Sequence, residues 1–99
     1  MKQLQGLSQK QIQNILKIIK STLPHTKIYA FGSRVTGKAR KYSDLDLALD
    51  NGKDIELSRL MELKERLSET DIPFVIDLID YQSISLAFKK IIDRDKKKL

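Results

Sequence analysis

The stretch from Asp44 to Leu49 constrains the fold more than any other, because its polarity alternates at every residue. The alternation places Leu45, Leu47 and Leu49 on one side and Asp44, Asp46 and Ala48 on the other. Successive side chains of a β-strand point to opposite faces of the sheet. We therefore predict a strand whose leucine face covers the core. The two carboxylates are expected to lie side by side on the face away from that core, roughly 6.6 Å apart along the chain.

The residues before this strand predict a helix, a strand and a loop. Ser8 and Gln11 form a capping-box pattern, and apolar residues at helical spacing predict a helix over about 8–22, which Pro24 ends. The β-prone run Lys27–Phe31 predicts a strand. Residues 32–43 contain two glycines and four basic residues, and they have room for one short helix.

The residues after the strand predict two more helices and one more strand. Asn51-Gly52 is typical of a turn. Pro73 is expected to open a strand over Phe74–Ile79. Asp54 and Ser83 are candidate helix N-caps. The predicted inward-facing residues are Leu57, Leu60, Leu63 and Leu67 in the first helix, and Leu86, Ala87, Ile91 and, less firmly, Phe88 in the second.

This order of elements predicts an α/β (α+β) domain with a small mixed sheet and helices packed mainly on one face. With 99 residues, the chain has the length of one domain, spanning residues 1–99, with the informative motifs within residues 27–80. The lysine-rich segment from about residue 94 to residue 99 is interpreted as a solvated basic tail.

Composition excludes several classes of site. The chain has no cysteine and one histidine, His25, so thiolate metal sites are excluded and imidazole-based ones are not expected. Any metal should bind oxygen ligands, which favours magnesium or manganese. No apolar run approaches the ~20 residues that span a bilayer, and the first residues lack the apolar core of a signal peptide. We therefore expect a cytoplasmic protein with no membrane partner.

Asp77 is a third candidate carboxylate, since it interrupts the apolar run Phe74–Ile79. A buried carboxylate needs a partner, which could be a basic side chain, backbone N–H groups or a metal ion. If the strand of Asp77 lies beside that of Asp44 and Asp46, all three carboxylates converge. Such a group suits one or two magnesium ions, and one carboxylate can act as a general base.

Gly32 and Ser33 are candidates for holding phosphates. They leave a predicted strand and enter a predicted short helix, where free N–H groups and a positive dipole end favour anions. The basic residues that follow add positive potential. The plain alternative is that Gly32 ends a strand and Ser33 caps a helix, which is compatible with phosphate binding.

The spacing Gly32-Ser33, ten residues, Asp44-Leu45-Asp46 resembles the signature of the DNA polymerase beta-type nucleotidyltransferase superfamily. The string over residues 31–49 is similar to its smallest members, the minimal nucleotidyltransferase (MNT) proteins. The resemblance implies that Gly32, Ser33 and Arg34 contact the nucleotide triphosphate. It also implies that Asp44, Asp46 and Asp77 are the catalytic and magnesium-binding residues.

The resemblance further implies an enzyme that transfers AMP from ATP to a hydroxyl, expected to be a tyrosine, of a partner HEPN-domain toxin. The chain would thereby act as the antitoxin of a HEPN/MNT pair. The alternative is a non-catalytic antitoxin that neutralises its partner by binding alone. A third class, a basic nucleic-acid binder, rests only on the net charge of +6. Aromatic residues are 6% of the chain and scattered, so direct nucleic-acid binding is not expected.

Overall fold

The computed structural model describes residues 4–99. Residues 1–3 belong to the predicted 1–99 domain and to the N-terminal residues compared above with a signal peptide, and they lie outside the described residues. Four helices and four strands follow the chain in the predicted α-β-α-β-α-β-α order, with one additional strand at the end. They are α1 (Gln9–Thr22), β1 (Lys27–Phe31), α2 (Ser33–Thr36), β2 (Leu45–Asp50), α3 (Leu57–Ser68), β3 (Ile76–Asp80), α4 (Leu86–Asp95) and β4 (Lys97–Lys98), with a 3-10 turn (Tyr81–Ser83) before α4.

The sheet has the strand order β3-β2-β1-β4 and is mixed. β1 pairs antiparallel with β2 and with β4, whereas β2 pairs parallel with β3. A parallel pair needs a crossover connection, and α3 supplies it between β2 and β3. The predicted α/β (α+β) fold with a small mixed sheet is therefore confirmed.

The main core lies between one face of the sheet and helices α1 and α3. The three leucines of β2 are fully buried there, as the alternation predicts. Ser8 caps α1 through the predicted capping box, since its side chain accepts from Gln11 N and the Gln11 side chain accepts from Ser8 N. The helices contribute Ile12, Ile15, Ile19, Leu63 and Leu67 to this core.

The other face of the sheet is partly covered, which corrects the expectation that it turns away from the core. Ala48 has no exposed surface and packs with Phe31 and Ile92 in a second, smaller cluster. Ile92 belongs to α4, so α4 covers this part of the face. The two larger packing helices, α1 and α3, lie on the leucine face. The carboxylates lie on the same face of the sheet as α4, in the part that α4 does not cover.

The start of α3 differs from the prediction. Its N-cap is Glu56, without a side-chain hydrogen bond, and not Asp54, whose carboxylate accepts from Ser83 Oγ. The helix therefore begins two residues later than an Asp54 cap would place it. Its first residue, Leu57, is 70% exposed instead of contributing to the core stripe.

The start of α4 also differs. Its N-cap is Ser85, whose hydroxyl accepts from Phe88 N, and not Ser83, whose hydroxyl donates to Asp80. The side of α4 that faces the sheet also differs from the prediction. Ile92 is the buried residue, Phe88 is half-buried, and the predicted inward residues Leu86, Ala87 and Ile91 are exposed.

β3 is shorter than the predicted Phe74–Ile79 strand and begins at Ile76. The predicted basic tail has regular structure, because α4 continues to Asp95 and Lys97–Lys98 pair with β1, while the side chains of Lys97 and Lys98 stay exposed. Leu99 follows, donates its N–H to Ile28 O at 2.9 Å and packs against the main core. Among residues 4–99, no helix is long and apolar enough to cross a membrane.

Candidate active site

Asp46 and Asp77 lie opposite each other on neighbouring parallel strands. They are register partners in the pairing of β2 with β3, as the sequence hypothesis of adjacent strands requires. Register partners project to the same face, and adjacent strands lie about 4.8 Å apart. Asp44 immediately precedes β2, two residues from Asp46. All three predicted carboxylates therefore lie at one end of the sheet.

The electrostatics of the three carboxylates centre on Asp46, which is half-buried. Burial raises its pKa above the ordinary aspartate value, and the negative charges of Asp77 and Asp44 raise it further. The ionised group is disfavoured because it loses water and faces two like charges. A cation between these groups would relieve that repulsion.

The donor set fits a hard divalent cation, since all of its ligand atoms are carboxylate oxygens. Within the part of the chain that the structure describes, no three acidic or imidazole side chains stand close enough together to enclose an ion as they are. The fit to such a cation therefore rests on the oxygen chemistry of the carboxylates and on the pairing of Asp46 with Asp77.

Gly32 brings the loop after β1 against Asp46. Its φ is 82°, a conformation that L side chains rarely adopt, and a Cβ atom at Gly32 would lie 2.5 Å from Asp46 Oδ2. Ser33 follows as the first residue of α2. The first N–H groups of a helix have no partner inside the helix and can bind an anion. Gly32 and Ser33 thus adjoin the carboxylates, as the phosphate-binding prediction requires.

Arg34, which the resemblance implies as a nucleotide contact, has a buried guanidinium that already binds backbone carbonyls. It is only 3% exposed, and its guanidinium stacks on the Phe74 ring, 3.6 Å from the centroid. Its N–H groups donate to backbone carbonyls, and the shortest bonds, both 2.7 Å, reach Gln5 and Ser43. Burial lowers the pKa of Arg34, and Asp44 partly offsets this effect. The guanidinium is thus occupied by the protein itself.

Sequence reasoning did not identify Gln5 and Phe74 as partners of this site. Gln5 lies outside the motif, and its relation to residue 34 depends on how the N-terminal segment folds back. Phe74 was interpreted as part of a strand, but it precedes β3. Long-range contacts of this kind leave no periodic signal in the sequence.

A cleft of about 770 Å³ opens beside Asp77. Its wall combines Tyr42, Lys64, Val75 and the segment before β3. Tyr42 and Val75 are 65% and 64% exposed, and the Lys41 ammonium lies 5.4 Å from the centroid of the Tyr42 ring. Asp77 thus lies at the edge of an open cleft.

Comparisons with known proteins identify relatives of this chain in sequence and in fold. The chain is 38% identical over 86 residues to the probable protein adenylyltransferase MntA of Haemophilus influenzae, which covers 87% of this chain and 75% of that protein. A crystal structure of a toxin–antitoxin with AMP-PNP contains a chain of similar fold, with a TM-score of 0.74 and 26% identity over 93% of this chain and 72% of that one.

A second solved structure is that of a tri-AMPylated Shewanella oneidensis HEPN toxin in complex with MNT antitoxin. It matches with a TM-score of 0.70 and 26% identity, over 93% of this chain and 71% of that chain. The family model of polymerase beta nucleotidyltransferases matches residues 13–99. This match includes the Gly-Ser loop and all three carboxylates, and the chain therefore belongs to the polymerase beta nucleotidyltransferase family.

Proposed function

We propose that this chain is an antitoxin that transfers AMP from ATP to a hydroxyl group, expected to be a tyrosine, of a HEPN-domain partner in the cytoplasm. The observation that carries the proposal is the register pairing of Asp46 with Asp77 beside Gly32. The similarity to an adenylyltransferase and to an AMPylated HEPN toxin complex supports the nucleotide and the acceptor.

In the proposed mechanism, Gly32 and Ser33 hold the phosphates of ATP at the start of α2. Asp44, Asp46 and Asp77 would hold one or two magnesium ions, and the ions would supply positive charge to the phosphates and the leaving pyrophosphate. The acceptor oxygen attacks the α-phosphorus, and the bond from that phosphorus to pyrophosphate breaks. Asp77 accepts the hydroxyl proton as a general base. The products are an AMP ester of the partner and pyrophosphate.

The proposal is tested by thermal unfolding and by transfer of label. Magnesium and ATP together should raise the melting temperature of the wild-type chain, and the pair Asp44→Asn and Asp46→Asn should remove this increase. With α-phosphate-labelled ATP, a co-expressed HEPN partner should gain label only with the wild type. An intact fold with no label on the partner would exclude the transferase proposal.

The second candidate is an antitoxin that acts by binding alone. It is favoured by one observation, namely that among residues 4–99 no three acidic side chains are already arranged around a metal position. The double aspartate variant separates the two candidates. Loss of neutralisation in this variant, with complex formation retained, supports transfer. Full neutralisation supports binding alone.

A further inference from the structure

Arg34 joins three segments that are distant in the sequence. Its Nε and Nη2 both donate to Ser43 O, at 3.0 and 2.7 Å, and Nη2 also reaches Lys41 O at 3.2 Å. Its Nη1 donates to Gln5 O at 2.7 Å. Ser43 is the residue immediately before Asp44. The guanidinium therefore connects α2, the end of the basic loop (residues 37–43) and the N-terminal segment around Gln5.

Gln5 completes these connections from the other side. Its backbone N–H donates to Arg34 O at 2.9 Å. Its side-chain amide forms two hydrogen bonds with the backbone of Ala39, donating to the carbonyl at 2.9 Å and accepting from the N–H at 3.0 Å. Gly6 packs so closely against Arg34 that a Cβ atom there would overlap Nη1. The N-terminal segment is thus fitted to the guanidinium.

We propose that Arg34 is a positioning residue, which fixes the basic loop through Gln5 and Ser43 and thereby holds Asp44 beside Asp46. The proposal rests on the proposed function, but it assigns Arg34 no contact with the nucleotide. Its acceptors are backbone carbonyls in irregular segments, where no regular ladder satisfies them.

Lysine cannot replace arginine in this arrangement. The planar guanidinium presents several N–H groups in a fixed fork, and its flat face stacks on Phe74. An ammonium group carries the same charge but is a compact donor on a flexible stem. The positioning role therefore depends on the shape of the group and not on its charge alone.

The test uses Arg34→Lys, Arg34→Met and Gly6→Ala, with Arg94→Lys as the matched control because the side chain of Arg94 is 73% exposed on α4. The first readout is hydrogen–deuterium exchange at residues 38–44. The second is the manganese concentration that gives half-maximal activity. The third is the melting temperature, and both other readouts are taken well below it.

All three test variants should exchange about tenfold faster at residues 38–44, since the hydrogen bonds that hold this loop are lost or displaced. They should also require at least about tenfold more manganese, because loss of a residue that orients a metal ligand costs about 10–100-fold in metal affinity or activity. Arg94→Lys should match the wild type in both readouts. Gly6→Ala separates positioning from direct nucleotide binding, because it changes no charge and lies far in sequence from Gly32 and Ser33, which are proposed to hold the phosphates.

Two results would overturn the proposal. One is unchanged exchange at residues 38–44 in Arg34→Met. The other is reduced ATP affinity in Arg34→Met together with wild-type manganese dependence in Gly6→Ala, which would make Arg34 a direct nucleotide contact. A wild-type chain without any transfer activity would instead contradict the proposed function, and the exchange measurement would still test the positioning of the loop.

Discussion

Gly32 lies in contact with the carboxylate of Asp46, so that a Cβ atom at Gly32 would lie 2.5 Å from Asp46 Oδ2. The loop after β1 and the start of β2 therefore meet without space for a side chain. Two requirements coincide at this position, the positive φ of 82° and the close approach. The loop proposed to hold phosphates and the carboxylate proposed to hold a metal form one surface.

Gly32→Ala should abolish magnesium-dependent ATP binding and lower the free energy of unfolding by about 1–3 kcal/mol, the usual cost of such a backbone conformation in other residues. Isothermal titration and urea unfolding measure the two effects. Gly52→Ala is the matched control, because Gly52 has a φ of 77° but nothing within 4 Å of its added Cβ. It should lose stability and keep ATP binding. Equal ATP affinity of both variants would contradict the close-approach argument.

The pKa of Asp46 predicts how the metal-free chain responds to pH. Burial raises this pKa, followed by the charges of Asp77 and Asp44, so the fold favours the protonated form. The stabilising contribution of Asp46 is therefore fully present below the ordinary aspartate pKa of about 3.9 and is lost as the pH rises through the raised pKa. Magnesium binds the ionised form, so its stabilising effect should increase over the same pH range.

Asp77→Asn removes one cause of that shift and should lower the pKa of Asp46. Carbon-13 NMR of the Asp46 carboxyl group, without metal, follows the titration. Asp71→Asn, at an exposed position outside the sheet, is the control and should leave the midpoint unchanged. The same midpoint in the wild type and in Asp77→Asn would contradict the repulsion between the two register partners.

Asp80 should be structural rather than catalytic. It is 8% exposed, and its Oδ2 accepts from Ile55 N at 2.9 Å and from Ser83 Oγ at 2.7 Å. Asp80→Ala leaves the buried Ile55 N–H unpaired and should lower the free energy of unfolding by about 1–3 kcal/mol. Asp80→Asn keeps an oxygen acceptor and should cost less. Urea unfolding measures both. As a control, Asp54→Ala at an exposed position should change the free energy of unfolding by no more than about 0.5 kcal/mol. An equally small effect of Asp80→Ala would be evidence against the structural role.

Leu99 should contribute to stability although it follows a run of lysines. It is half-buried against the main core, whereas the side chain of Lys98 is exposed. Leu99→Ala should lower the free energy of unfolding by about 1 kcal/mol, roughly half the value of a fully buried leucine. Lys98→Ala should have little effect. Chemical denaturation with equal losses in both variants would indicate that Leu99 contributes no packing.

The alternation around Asp46 was sufficient to predict β2 and the burial of its leucines. The same period also predicted that Asp44 and Asp46 share a face. The pairing of β2 with β3 was a further hypothesis, and the register of Asp46 with Asp77 confirms it. Local chemistry predicted α1 equally well, since the capping box of Ser8 needs only residues within one helical turn.

The misplaced elements depend on choices between similar local signals. Ser83 and Ser85 are both good caps, and the choice falls on Ser85 because the hydroxyl of Ser83 donates to Asp80. Arg34 was assigned to the nucleotide on the strength of the motif alone. Its actual partners, including Gln5, come from a segment whose path cannot be inferred from spacing.

Ala48 connects the packing of α4 with the position of the carboxylate of Asp46. It lies two residues from Asp46 on β2 and is enclosed by Phe31 and Ile92, while its neighbours Leu47 and Leu49 are enclosed on the opposite face. A larger residue here would have to move either α4 or the strand that bears the carboxylate. A substitution on the inner side of α4 must therefore fit the volume that Ala48 leaves. Packing on this face and the position of the carboxylates depend on the same strand.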